Sequence, residues 1–206
     1  MVLLIDNFDS FSHILADYFR QLGLELKIVR NDTPLESLKE QTFEALILSP
    51  GPGTPIQSAN LMEILDFFAD QIPVLGICLG HQAIGEYFGG QLEKGEKPVH
   101  GKVHTIIQTS DHPVLNEIPE SFNVTRYHSL QIVDIPACLE VILETEEHEV
   151  MAFIHKTLPI MGIQYHPEAH LTEFGLKIIN NWLHFSNINV KGSKIQEYID
   201  SVNHQN

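Results

Sequence analysis

The chain has 206 residues, 43% of them hydrophobic, and sets 27 acidic against 12 basic side chains, a net charge of −15 with a pI near 5.1. That length and apolar content suit one compact domain with a full core, while the charge argues against nucleic acid as a partner, since phosphates attract clustered Lys and Arg and no basic stripe is present. No apolar run approaches a membrane span, the apolar start ahead of Asp6 is too short for a secretion signal, and two cysteines make no disulfide framework, so a cytoplasmic setting is expected.

Taken in chain order, the first half alternates strand and helix signatures. Val2 to Ile5, Glu25 to Val29, Glu44 to Leu48 and Val74 to Ile77 read as strands. Between them Phe11, Ile14, Leu15, Tyr18, Phe19 and Leu22 trace one helix face, and Leu61, Ile64, Leu65 and Phe68 another. The pattern predicts an α/β fold whose open, mainly parallel sheet is flanked by helices. From Gln91 to Gln164 the runs become β-like, at Val103 to Ile107, Phe122 to Arg126, Leu139 to Glu144 and Val150 to Ile154. These additional strands are expected to extend the sheet or to form a small second one. Leu171, Phe174, Ile178 and Trp182 then predict a closing helix docked on the first sheet. The domain is expected to span residues 1–186, with 187–206 an extension containing a polar link at Lys191-Gly192-Ser193 and a short helix.

Chemistry is expected at the strand ends. Cys78 sits in Gly76-Ile77-Cys78-Leu79-Gly80-His81-Gln82, where an apolar strand gives way to the helical spacing of Ala83, Ile84, Tyr87 and Phe88. A thiol on such a sharp turn lies near a helix N-terminus, whose free N–H groups and dipole favour the thiolate that attacks carbonyl carbon. By itself Cys78 reads first as a small core residue, and the flanking glycines and the partners below reverse that reading. Cys138, beside Pro136 and without a motif, is expected to be structural.

A thiol acting on an amide needs a base that returns the proton to the leaving nitrogen. His166-Pro167-Glu168 supplies the candidate: Pro167 bars helix and pushes His166 toward extended geometry, in which residues two apart share a face. Glu168 could then orient the imidazole as the third member of a triad. The developing oxyanion needs backbone donors. Ser49-Pro50-Gly51-Pro52-Gly53, at the end of the run Ala45 to Leu48, offers the N–H groups of Gly51 and Gly53, and Leu79 offers its own just after the thiol. Read separately, the first is also an ordinary strand-exit turn and the histidine an ordinary strand end. No His, Cys, Asp or Glu spacing points to a metal, and no Gly-Lys-Ser/Thr follows the glycine-rich turn, so neither a metal nor another cofactor is expected.

Six segments occur in order: Leu4-Ile5-Asp6-Asn7-Phe8-Asp9-Ser10-Phe11, Ser49 to Pro55, Gly76 to Gln82, His100-Gly101-Lys102, Thr125-Arg126-Tyr127-His128-Ser129-Leu130 and Gln164-Tyr165-His166-Pro167-Glu168. Through them the chain resembles the class I, triad-type glutamine amidotransferases, with their flavodoxin-like core, over about residues 1 to 186. More narrowly, it is similar to glutaminase subunits of anthranilate synthase and 4-amino-4-deoxychorismate synthase. The resemblance implies Cys78 as nucleophile, His166 as general base and acid, and Glu168 as its orienting carboxylate. It also implies a glutamine site bordered by Gly51, Pro52 and Gly53, with oxyanion donation from that loop and Leu79, a contact from Gln82, and main-chain contacts from Ser129 and Leu130. The implied partners are L-glutamine and a chorismate-binding synthase subunit, in tryptophan or folate synthesis or both. Departures from the family pattern at Ser12-His13-Ile14-Leu15, Val103-His104 and Ala169-His170 fall near surfaces that face the partner in the family. Two other readings stay open here: a free-standing cysteine hydrolase of γ-glutamyl compounds, and a non-catalytic regulatory subunit of the same fold.

Overall fold

The computed structural model describes residues 1–95 and 101–190. Their elements, in chain order, are β1 (Val2–Asp6), α1 (Ser12–Gln21), β2 (Leu26–Arg30), α2 (Glu36–Lys39), β3 (Leu46–Leu48), α3 (Leu61–Phe68), β4 (Val74–Ile77), α4 (Leu79–Tyr87), β5 (Gln91–Lys94), β6 (Lys102–Gln108), β7 (Ser121–Arg126), β8 (Leu130–Val133), β9 (Leu139–Glu144), β10 (Val150–His155), β11 (Ile160–Ile163) and α5 (Gly175–Phe185). Of the extension expected at 187–206, residues 191–206, with the link and short helix, lie outside the described residues, as does His100 of the fourth motif.

Nine strands form one sheet in the order β2-β1-β3-β4-β11-β10-β9-β6-β7, and β5 pairs with β8 in a second, two-stranded sheet. The pairings from β2 through to β11 are parallel, and those from β11 to β7 antiparallel. Both outcomes expected of the second half therefore occur together. Inside the half-buried edge strand β2, the parallel strands β1, β3, β4 and β11 are buried on both faces, which is why β1, β3 and β4 read as apolar runs. Successive residues point to opposite sides. Val2, Leu4, Ile47, Leu75 and Ile77 join Leu15 and Phe19 of α1 and Ile178 and Trp182 of α5 in one core. Leu3, Ile5, Leu46, Leu48 and Val74 join Ile64 and Leu65 of α3 and Ala83 and Ile84 of α4 in the other.

Two helices differ from expectation. The buried stripe of α1 is Ser12, Leu15, Ala16 and Phe19, whereas Ile14 is 44% exposed. Small Ser12 and Ala16 let the helix sit close to the sheet, and the Ser12 hydroxyl donates to Asp6 Oδ1 at 2.7 Å, so the stripe turns away from Ile14. The closing helix begins at Gly175; Leu171 lies ahead of it and is 59% exposed, and Phe174 takes the left-handed conformation (φ 57°). Left-handed residues also end α1, α4 and α5, at Gly23, Gly89 and Asn187. In each case two N–H groups fold back onto the last turn, as Asn187 and Ile188 do onto the carbonyls of His184 and Leu183.

The order β2-β1-β3-β4 reverses direction between β1 and β3, and ligands of open α/β sheets bind beyond the carboxyl ends of the strands at such a switch point. Asn7, Ser49, Cys78 and Gln164 all leave those ends, from β1, β3, β4 and β11. No helix among the described residues is long and apolar enough to cross a membrane. Cys138 is half-buried against the second core, and both cysteines are free.

Candidate active site

Cys78 is the pivot between β4 and α4, with φ 52° and ψ −98°, a conformation that side chains bearing a Cβ seldom adopt. Its N–H donates to the Ile163 carbonyl at 2.7 Å, which ties the turn to β11. Two close approaches explain the flanking glycines. A Cβ on Gly76 would lie 2.3 Å from the Gly80 carbonyl oxygen, and one on Gly80 would lie 2.4 Å from the Leu48 carbonyl oxygen. The α4 N-terminus can therefore press against β3 and β4 with the sulfur at the helix mouth.

His166 and Glu168 meet as expected, by a different local route. His166 Nδ1 lies 2.7 Å from Glu168 Oε1, with both side chains buried. The pair forms across a turn at Pro167 and Glu168, closed by the Ala169 N–H donating to the His166 carbonyl at 3.2 Å, and not along an extended strand. Proline favours a turn here as readily as extension. The His166 N–H donates to the Thr125 carbonyl, and the Thr172 hydroxyl, which accepts from the Thr125 N–H at 2.9 Å, donates to the His166 carbonyl at 2.7 Å. Phe11 and Tyr127 pack edge-on to the imidazole with centroids at 5.2 and 5.0 Å. The ring lies close enough to Cys78 to interact with it, so sulfur, imidazole and carboxylate are neighbours in one row.

Burial by itself would push the imidazole down, but hydrogen bonds to Cys78 and Glu168, with their charges, outweigh it and raise His166 from 6.5 to about 10. The pairing therefore stabilises the fold fully below pH 6.5, and that contribution is lost as the pH rises through about 10. Urea unfolding across this range should show the stability gap between wild type and His166→Asn narrowing with pH. A flat or widening gap would contradict the pairing.

A cleft of about 190 Å³ opens at the sulfur, lined by Gly51, Pro52, Gly53, Cys78, Gln82, Tyr127, His128, Ser129 and Leu130. Every sequence-predicted site residue outside the buried His166 and Glu168 lines it, except Leu79, whose side chain is buried behind Gly51. The Gly51 loop is held from β1: the Asn7 N–H donates to Ser49 Oγ at 2.9 Å and its side-chain amide donates to the Ser49 carbonyl at 2.8 Å. A Cβ on Gly51 would stand 2.5 Å from Asn7 Cβ, so only glycine fits. A larger cavity of about 600 Å³ lies beside Arg126, His104 and Glu149, and none of Cys78, His166 and Glu168 lines it.

The family profile for class-I glutamine amidotransferases matches residues 3–185. This chain belongs to that family. Among curated relatives, anthranilate synthase component 2 of Azospirillum brasilense is 44% identical over 187 residues, covering 89% of this chain and 95% of that one. Aminodeoxychorismate/anthranilate synthase component 2 of Bacillus subtilis is 38% identical, with the same coverage. Aminodeoxychorismate synthase component 2 of Escherichia coli is 37% identical, covering 89% of this chain and all of that one. A solved structure from Thermoplasma acidophilum, described as that of a GMP synthase subunit, superposes with a TM-score of 0.81 at 26% identity, covering 90% of this chain and 93% of that one.

As a class-I glutamine amidotransferase, the chain has site residues that its local patterns did not single out. Gln164 donates from Nε2 toward Cys78 Sγ at 3.7 Å and accepts from Gln82 Nε2 at 3.2 Å. The available signal was its position two residues before His166. Tyr127 and His128 also line the cleft, inside a motif in which the family resemblance implies roles only for Ser129 and Leu130.

Proposed function

We propose that Cys78, His166 and Glu168 form the triad of a glutaminase whose ammonia passes to a chorismate-using synthase subunit. Cys78 sulfur attacks the γ-carbonyl carbon of glutamine, and His166, which carries the proton it shares with the sulfur, delivers it to the departing nitrogen. Ammonia leaves, and a γ-glutamyl thioester remains on Cys78. Water, deprotonated by His166, then attacks the thioester carbon; the sulfur leaves, recovers the proton, and glutamate is released. Glu168 holds the Nδ1 side of the ring so that Nε2 faces the sulfur. Oxyanion charge falls to main-chain N–H groups of the Gly51 to Gly53 loop and of Leu79, with Gln82, Ser129 and Leu130 holding the rest of the amino acid.

The observation carrying this reading is the meeting of the sulfur with the buried 2.7 Å His166–Glu168 pair at a cleft scaled to one amino acid. The partner follows from product chemistry and relatives. Ammonia in neutral water is mostly ammonium, which has no lone pair for attack, so it is useful only when handed on directly. Phe8, Ile56 and Leu171 stand 53%, 82% and 59% exposed on the segments after β1, β3 and β11, an apolar rim suited to a partner surface. Of the departures, His13, Ile14, Val103 and His170 are exposed, His104 is half-buried, and Ser12, Leu15 and Ala169 are buried. Relatives named for anthranilate and for aminodeoxychorismate synthesis both match, at 37–44% identity, which supports a synthase of either kind, or of both, as the partner. A reducing cytoplasm suits the free thiol.

The test is glutaminase turnover of the full chain alone and with each synthase subunit. Stimulation by a synthase and glutamine-dependent formation of its product are expected. Full, unstimulated turnover on diverse γ-glutamyl compounds would reject the partner-dependent reading in favour of a free-standing hydrolase.

A further inference from the structure

The wall of the cleft opposite the Gly51 loop is tied to a buried guanidinium that the triad does not use. Arg126, the last residue of β7, is 4% exposed. Its Nε–H donates to His128 Nε2 at 3.2 Å, and its terminal nitrogen pairs with Glu149. An arginine at this pH is always protonated, so its Nε can only donate. His128 Nε2 must then accept, which leaves the ring proton on Nδ1, where it is donated to the Leu130 carbonyl at 2.9 Å. The same carbonyl accepts from Gln82 Nε2 at 3.1 Å, and Gln82 Nε2 also reaches Gln164 Oε1. With its nitrogen committed to these two acceptors, Gln82 is left with Oε1 for the cleft.

We propose that Arg126 is a positioning residue for the substrate, acting through His128: its guanidinium, anchored by Glu149, fixes the His128 tautomer, and that tautomer pins Leu130 and aims Gln82 into the cleft. The proposal rests on the reading that this cleft binds glutamine. Neutrality of His128 belongs to the same design. Burial first, and then the Arg126 charge, hold His128 down to about 3, with His81 of α4 and His166 adding to the effect. A protonated His128 would have no acceptor for Arg126 and would set a second cation near His166. Glu149 Oε1, at 3.6 Å from Nδ1, is the one facing anion the structure brings near the ring among the described residues, and its other oxygen is engaged by Arg126.

Arg126→Met removes the donor and the charge, whereas Arg126→Lys keeps the charge without the planar fork. In the full chain with its synthase subunit, Arg126→Met should raise the KM for glutamine about 10-fold or more, as expected for losing a charge-assisted hydrogen bond behind the binding wall. Its kcat should stay within about 3-fold, because the sulfur, imidazole and carboxylate are untouched, and Arg126→Lys should fall between. Nitrogen NMR of labelled histidine should show His128 locked as the Nδ1–H tautomer in wild type and released in Arg126→Met. That measurement needs no glutamine, so it decides the positioning claim even if the wild type fails to hydrolyse glutamine, an outcome that would instead sink the proposed function. Should Arg126→Met fold poorly, His128 variants decide. His128→Leu should lose affinity, and His128→Gln should recover most of it, since an amide can accept from Arg126 and donate to Leu130. An unchanged tautomer with unchanged KM in Arg126→Met, or equal impairment of the two His128 variants, would overturn the inference.

Discussion

Cys78→Ser is expected to lower glutamine-dependent turnover by about 10⁴-fold or more, the scale seen when a nucleophile is removed from a triad that acts as a unit. The hydroxyl differs from the thiol by one atom in a nearly buried position, so the turn, with its φ of 52°, should survive intact. Chemistry is what changes: a serine hydroxyl is a far weaker acid than a thiol, and His166 is arranged to share a proton with sulfur. Product formation from added ammonium salt by the complex should persist, because that route bypasses the thioester. Parallel assays with labelled glutamine and with ammonium would read both arms. Retention of more than about a tenth of the glutamine-dependent rate would remove Cys78 from the mechanism.

The second large effect is expected at a residue far from the sulfur in sequence. A Cβ on Gly175 would lie 1.8 Å from the Pro167 carbonyl oxygen, 2.7 Å from its carbon and 3.1 Å from its Cα. All three atoms are backbone, so no side-chain rotation can relieve the overlap. Gly175→Ala should therefore cost about 3 kcal/mol or more, equivalent to a melting temperature lower by roughly 6–12 °C for a chain of this size. Pro167 lies between His166 and Glu168, so any retreat of its carbonyl also disturbs the 2.7 Å contact between them. A shift of about 1 Å in a catalytic group costs on the order of 10²-fold in rate, and kcat should fall accordingly. A variant with wild-type melting and wild-type turnover would show that α5 does not set the position of the triad.

Much of the site was legible because local patterns encode it. Continuous apolar runs marked strands buried on two faces, and the switch to helical spacing after Ile77 placed Cys78 on its turn. The pairing of His166 with Glu168 followed from their separation by one proline, although the turn that achieves it did not. Ile14 and Leu171 were misplaced because an apolar residue at helical spacing is indistinguishable, in sequence, from one left outside by a close helix approach or a late helix start.

The row from Glu149 through Arg126, His128 and Leu130 to Gln82 was beyond reach for a different reason. Its members come from the end of β7, the loop after it, the start of β8, the segment before β10 and α4, and no periodicity joins them. Gly175 gave no signal either, since its need arises from a carbonyl eight residues upstream that the chain returns to only after folding.

The amino-acid order by itself determined which faces are buried, where strands yield to helices, and which thiol and imidazole are candidates for nucleophile and base, because those features follow from periodicity and from the chemistry of single residues. Tertiary structure alone decided that they meet: the order in which β1, β3, β4 and β11 pair brings four remote loops to one end of the sheet, and contact between segments distant in sequence depends on that order.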